Sequence, residues 1–355
     1  MSIGRPLLLL TMALSVSVGT LVHGDDDFVL ARFSDYLESL RTQAGIPGLA
    51  AAIVGPYGVF REYTFGQADV ERNVPVTIFT PFQLDDTTQT IVASLALKCA
   101  SDGFFSLDDP VGKFVPSSPD AGATIRQLLT HTTGAANNLS FSYHPERLAP
   151  VAAAIASCKG STFRSAMSAQ LDHLTMMFDS VPGSDVISVT PPAEGFTATV
   201  LQRYSDALVR LVTPYAVEGR GRAARSSYVA STLTPASGLI SSLSDLEHFD
   251  LALKHGDVLR PEWLALAWTP PNDAAGRPLP HAYGWFVQAY NGERIVWHFG
   301  VSDNASSSMV ISVPRRGLTL ILLANSSGLA RPLALSAGDV TVSPFARLFL
   351  SIFLR

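Results

Sequence analysis

An apolar run, residues 6–22, opens the chain, and regular alternations of apolar and polar positions follow it. Val29, Phe33, Leu37 and Leu40 recur at helical spacing, which predicts an amphipathic helix over residues 28–44, stopped by Ile46-Pro47-Gly48. Residues 49–54 are short and wholly apolar and read as a buried strand, with a turn at 55–58 and a hairpin partner at 59–64. The stretch 87–100 is strongly apolar and has helical length, and it reads as a helix. A short helix is expected after Ser106, another at 125–130, and mostly helix over 141–177. Residues 182–195 read as loop, and 197–213 fit either a strand or a helix. Residues 239–254 are expected as one helix with Ser244 as its cap ahead of Asp245. Four strand-like segments follow at 283–290, 294–298, 307–313 and 318–324. Asn291-Gly292 marks a hairpin between the first two. The last is almost wholly apolar and therefore central. Residues 344–355 close the chain as an amphipathic helix, with Ser343 as N-cap and Pro344 at the first helical position.

Strands thus gather at the two ends and helices between them. The expected fold is α/β of the α+β kind, an antiparallel sheet flanked by helices with an inserted all-helical lobe. It forms one compound domain over 25–355, with a sheet lobe at about 28–80 and 230–330 and a helical lobe at about 81–190. The chain has 355 residues, 47% hydrophobic and 15% charged, enough apolar material for a large core and too much for disorder. The net charge of -5 is scattered and no basic run occurs, which argues against a nucleic-acid partner. Arg5, the apolar run and Val22-His23-Gly24 read as an export signal over residues 1–24. The expected location is periplasmic or extracellular, with anchoring where the signal is not cleaved. No later segment is long and apolar enough to span a membrane. Cys99 and Cys158 are the only cysteines; they either pair or lie as two buried free thiols. The histidines are dispersed, so neither a metal nor a cofactor is expected.

The chemistry-bearing motifs come next. Ile46-Pro47-Gly48-Leu49, the Ser-Leu-Asp-Asp-Pro-Val run from Ser106 and the Thr-Ile-Arg-Gln-Leu-Leu-Thr-His-Thr-Thr-Gly run from Thr124 resemble, in order and spacing, segments of the β-lactamase-related serine hydrolases. Ser237-Gly238-Leu239-Ile240-Ser241 and Tyr283-Gly284-Trp285-Phe286 match later blocks of the same family, which includes class C β-lactamases, DD-peptidases and esterases with the S-x-x-K penicillin-binding fold. The resemblance runs from about Phe28 to Gly328. It implies a serine at the start of a buried helix, activated by a lysine one turn on, since only that spacing puts both on one face. It also implies a Tyr-x-Asn loop, a K/H-x-G strand beside the substrate and an oxyanion hole of backbone N–H groups.

At the first of these places the chain reads Leu84-Asp85-Asp86-Thr87-Thr88-Gln89. Asp86 stands where the family places its serine, and Gln89 where it places its lysine. Tyr143, in Phe141-Ser142-Tyr143-His144-Pro145, keeps the tyrosine while Pro145 replaces the asparagine. His298-Phe299-Gly300 keeps the strand motif in its histidine form. The oxyanion donors implied by the resemblance are the backbone N–H groups of Asp86 and Val301. Gly300, Trp297 and Phe299 are candidate walls of a ligand cleft.

Asp86 admits three readings. Asp86-Thr87-Thr88-Gln89 has the pattern of a capping box, with Asp as N-cap and Gln at N3. Alternatively, the carboxylate is a nucleophile, or a general base whose pKa neighbouring Asp85 raises. Three functions follow. The first is an exported protein with a degenerate serine-hydrolase site that holds a small-molecule or peptide-like ligand without acyl-serine catalysis. The second is an active hydrolase of an ester, amide or β-lactam that uses Asp86, Tyr143 and His298. The third is a structural or interaction protein with an occluded cleft.

Overall fold

The computed structural model describes residues 24–135, 138–176, 178–188, 194–218, 222–228 and 232–354. The expected export segment lies outside them up to residue 23. Seven strands form an antiparallel sheet in the spatial order Phe286–Tyr290, Glu293–Ser302, Ser306–Val313, Leu318–Ala324, Gly48–Val54, Val59–Asp69, Val74–Pro75. Gly48–Val54 is buried at every position because helices cover both faces of the sheet there. Its side chains divide with the two-residue period of a strand. Leu49, Ala51 and Ile53 face Phe33 and Leu37 of the Gly24–Gln43 helix and Phe345 and Phe349 of the Pro344–Phe353 helix. Ala50, Ala52 and Val54 join the opposite core, which includes the Leu243–His255 helix and the helix Thr88–Ser101. Register between the two central strands runs from Leu49↔Ala324 to Val54↔Thr319.

The expected helix is present as Thr88–Ser101 and is buried along nearly its whole length, with polar Thr88, Gln89, Thr90 and Ser94 among the buried residues. Residues 197–213, ambiguous from sequence, contain the helix Ala198–Val209, capped by Thr197. The expected short helix after Ser106 is only a 3-10 turn, Val111–Lys113. The expected helix over 239–254 divides. Leu239–Ser241 is a short strand that pairs Ile240 with Gln83 and Leu239 with Pro182. The helix Leu243–His255 then starts from Ser242, not Ser244, because Ser242 has the extended backbone of an N-cap and its hydroxyl accepts from the Asp245 N–H. This strand matters for the site: the Leu84 N–H donates to the Leu239 carbonyl at 2.9 Å, which anchors the segment leading into Asp86. At the chain's end the Ser343 hydroxyl accepts from the Ala346 N–H, as expected.

Cys99 and Cys158 are joined, so the free-thiol alternative is not the one adopted. The bond ties the buried Thr88–Ser101 helix to the helix Val151–Lys159 across a separation of 59 residues. Removing the cross-link in Cys99→Ala/Cys158→Ala frees the unfolded chain, so denaturant titration is expected to show a loss of about 2–4 kcal/mol. The formal glycosylation sequon at Asn325 is closed, since its side chain is buried and bonds the Gly48 N–H and the Gln67 carbonyl.

Candidate functional site

The site is built around the turn Asp85–Thr87, a single 3-10 turn wedged between the sheet and the helix Thr88–Ser101. Asp85 adopts a left-handed backbone with φ +49, a conformation that Asp tolerates better than most side chains. Its buried carboxylate accepts from the Ser306 hydroxyl at 2.8 Å. The Ser308 hydroxyl donates to the Leu84 carbonyl at 2.7 Å, so the Thr87 hydroxyl, 2.8 Å away, must be the donor to Ser308. Gly300 faces the same turn. A Cβ there would stand 2.1 Å from the Leu84 carbonyl oxygen and 3.0 Å from Asp85 Cβ. The glycine of His298-Phe299-Gly300 is therefore what lets the strand close on the turn and brings Val301 and Asp86 onto touching segments. Gly300→Ala is expected to lower stability by about 1–3 kcal/mol, measured by thermal or denaturant unfolding.

Asp86 does not cap the helix. The helix starts at Thr88 behind Thr87, which has helical dihedrals and makes no side-chain cap bond. A capping box needs an extended N-cap, and the 3-10 turn carries the chain into the helix already wound. The Asp86 carboxylate, half-buried, instead accepts from the Tyr143 hydroxyl at 3.2 Å. Gln89, fully buried, donates from Nε2 to Tyr143 Oη at 3.0 Å, and its Oε1 lies 2.9 Å from His131 Nε2. His131 Nδ1 accepts from the His144 N–H, so Nε2 carries the ring proton. Four groups therefore form a one-way hydrogen-bond chain, His131 to Gln89 to Tyr143 to Asp86, ending on the carboxylate.

Burial sets the electrostatics. It pushes the Asp86 carboxyl up to about 7, against the stabilising bond from Tyr143. Burial likewise pushes Asp85 up to about 7, opposed by Ser306 and reinforced by the Asp86 charge. The Tyr143 phenol is held well above its usual range, first by burial and then by Asp86. His131 and His298 are each pushed down to about 3 by burial, and His281 is pushed well below the usual imidazole range.

His298 is fully buried and stands behind Tyr143, the two ring centres 6.3 Å apart. Its Nδ1–H donates to the Phe299 carbonyl at 2.8 Å, which leaves Nε2 as an acceptor without a partner among the described residues. Phe299, a candidate cleft wall, is buried in the core shared with the terminal helices and lies 5.9 Å from Tyr143. Trp297 does not line a cleft. It is fully buried in the core shared with the terminal helices and stacks on Phe286 at 4.5 Å, as strand alternation sends it to that face. His281 was not a sequence candidate. Its ring sits 4.7 Å from His131 and 6.0 Å from His298, a cluster assembled from three distant segments. Among the described residues no grouping of His, Cys, Asp and Glu is arranged to hold a metal ion.

A buried helix opening beside an antiparallel sheet, with an aromatic loop and an H-x-G strand closing on its first turn, is the arrangement that the resemblance to β-lactamase-related hydrolases implies. The sequence profile described as Beta-lactamase matches residues 33–338, and the chain belongs to that family. Protein flp of Staphylococcus aureus (strain MRSA252) is 24% identical over 318 residues, covering 79% of this chain. The chain spans 60% of the length of that relative. A β-lactamase of Psychrobacter immobilis is 31% identical over 136 residues, 36% of this chain and 34% of its own. Among solved structures, the octameric penicillin-binding protein homologue from Pyrococcus abyssi superposes with a TM-score of 0.70 at 18% identity, covering 91% of this chain and 77% of its own. The D-amino acid amidase from Ochrobactrum anthropi SV3 superposes at 0.71 and 18% identity, covering 92% and 99%. These two structural likenesses establish the fold alone.

Proposed function

We propose that this protein is an exported member of the β-lactamase family that binds a small-molecule or peptide-like ligand beside Asp86 without forming an acyl-serine intermediate. One observation carries the reading. The place that the resemblance assigns to the nucleophile holds a carboxylate, and that carboxylate terminates a chain of hydrogen bonds in which Gln89 and Tyr143 are already engaged. No amine stands one turn on to take a proton. The nearby serines offer no substitute, because the hydroxyls of Ser306, Ser307 and Ser308 are buried and committed to Asp85, the Ser326 carbonyl and the Leu84 carbonyl. Export is supported by the N-terminal apolar run and by the Cys99–Cys158 bond, which suits an oxidising compartment.

The test is labelling of the pure protein with a fluorescent penicillin and a fluorophosphonate. No covalent adduct is expected; a label mapping to one serine overturns the reading. A second reading has one observation in its favour: a half-buried carboxyl with a pKa near neutrality suits a general base acting on water. That alternative predicts hydrolysis of a chromogenic ester or cephalosporin without any label, abolished in Asp86→Ala.

A further inference from the structure

We propose that the ligand held at Asp86 bears an ammonium group, with the Asp86 carboxylate as its counter-ion. The inference rests on the reading above, that the site binds rather than acylates, and it names the chemical class bound.

The argument is an account of donors, acceptors and charge. The one hydrogen of Tyr143 goes to Asp86 Oδ2, and the ring hydrogen of His131 goes to Gln89. His298 spends its hydrogen on the Phe299 carbonyl, so its Nε2 is an acceptor with no donor among the described residues; it and both ring nitrogens of neighbouring His281, one of them a donor, are fully buried without partners there. Asp86 is half-buried, and Tyr143 is its only side-chain hydrogen-bond partner among the described residues. What Asp86 itself has left over among the described residues is acceptor capacity, which a ligand rich in N–H donors fills.

Charge points the same way. The titratable and charged groups that act on Asp86 are its neighbour Asp85, Tyr143, Glu146 and Arg331. Arg331 is already paired with Asp303 at 2.8 Å, and Arg147, next to Glu146, is paired with Asp120 at 2.8 Å. No cation among the described residues forms an ion pair with Asp86. A carboxylate-bearing ligand would meet Asp86, Asp85 and Glu146 together, whereas an ammonium supplies the missing counter-charge. Tyr143 and Phe141 are both partly exposed and both pack on Phe286, at 5.3 and 6.1 Å, so aromatic surface adjoins the carboxylate. Such surface favours a cation over a neutral group of the same shape.

The experiment uses three probes of one shape on the full chain: benzylamine, benzyl alcohol and benzoate, titrated by calorimetry at pH 8, where the carboxylate is ionised and the amine still protonated. Benzylamine is expected to bind saturably, at least about tenfold more tightly than benzyl alcohol, with benzoate weakest. Asp86→Asn keeps an acceptor for the Tyr143 hydroxyl and removes the charge. It is expected to keep a cooperative melt and to lose the preference for the amine. Benzoate binding as well as benzylamine, absence of saturable amine binding, or an unchanged preference in folded Asp86→Asn would each overturn the proposal. Penicillin labelling of the same samples separates the two readings. A labelled serine defeats the binding reading whatever the amine does, and an unlabelled protein without amine preference defeats this inference alone.

Discussion

Asp86→Ser combined with Gln89→Lys is expected to turn the chain into a protein that fluorescent penicillin labels at position 86. Neither substitution alone is expected to suffice. The turn that presents position 86 is fixed by backbone and neighbours, not by the Asp86 side chain: Leu84 is held by Leu239 and Ser308, Asp85 by Ser306, and the strand closes over Gly300. A hydroxyl introduced there inherits the same mouth of the same buried helix. Position 89 supplies the base. It is fully buried between His131 Nε2–H and Tyr143 Oη. A lysine amine taken out of water there is driven towards its neutral form. A neutral amine has one lone pair, and that lone pair takes the proton of the new hydroxyl when it is turned towards position 86 rather than towards the His131 N–H. General-base assistance of this kind contributes about 10²–10⁴-fold, so the double variant should acylate faster than Asp86→Ser alone by about that factor. A labelling time course with peptide mapping measures it. A folded double variant that stays unlabelled would mean that a serine at 86 and a lysine at 89 are not sufficient for acylation.

What could be read from the sequence was whatever depends on local pattern. The wholly apolar run at 49–54 and the almost wholly apolar run at 318–324 gave the paired central strands, because a strand covered on both faces carries little polar alternation. The order of motifs, from Ile46-Pro47-Gly48 to His298-Phe299-Gly300, gave the family. The misses share a cause. Asp86 to Gln89 fits a capping box as a string, but the conformation at Thr87 comes from a turn clamped by a strand more than two hundred residues away. Ser242 displaced Ser244 as a cap because Leu239 and Ile240 are drawn into pairing with Gln83 and Pro182. Trp297 looked like a cleft aromatic because the facing of a strand residue follows from register, which the sequence does not print. His281 escaped notice for the same reason: only tertiary packing sets it against His131 and His298.

Asp86→Asn is expected to stabilise the fold at neutral pH and to leave it unchanged in acid. The sign follows from the direction of the shift. The Asp86 carboxyl is raised from 3.8 to about 7, so the folded state keeps a proton that the unfolded chain has released. Stability tied to this group is fully present below pH 3.8 and is lost as pH rises towards 7, above which the folded state carries the buried charge. Asp85 repeats the pattern, and the Asp86 charge adds to its shift. The histidines oppose it: His131 and His298, lowered from 6.5 to about 3, withdraw stability as pH falls from 6.5 to 3. Comparing the variant with the native chain cancels the histidines and isolates the carboxylate. Because Asp86 still reaches solvent, the gain above pH 7 is on the order of 2 kcal/mol rather than the full linkage value. Urea unfolding at several pH values reads it, and a difference that grows towards acid would reverse the sign and refute the argument. A carboxylate that weakens the fold at neutral pH needs another reason to be ionised there, and a bound ammonium supplies one. The same substitution that makes the protein firmer should therefore remove its preference for amines, so the two measurements on Asp86→Asn bear on a single physical cause.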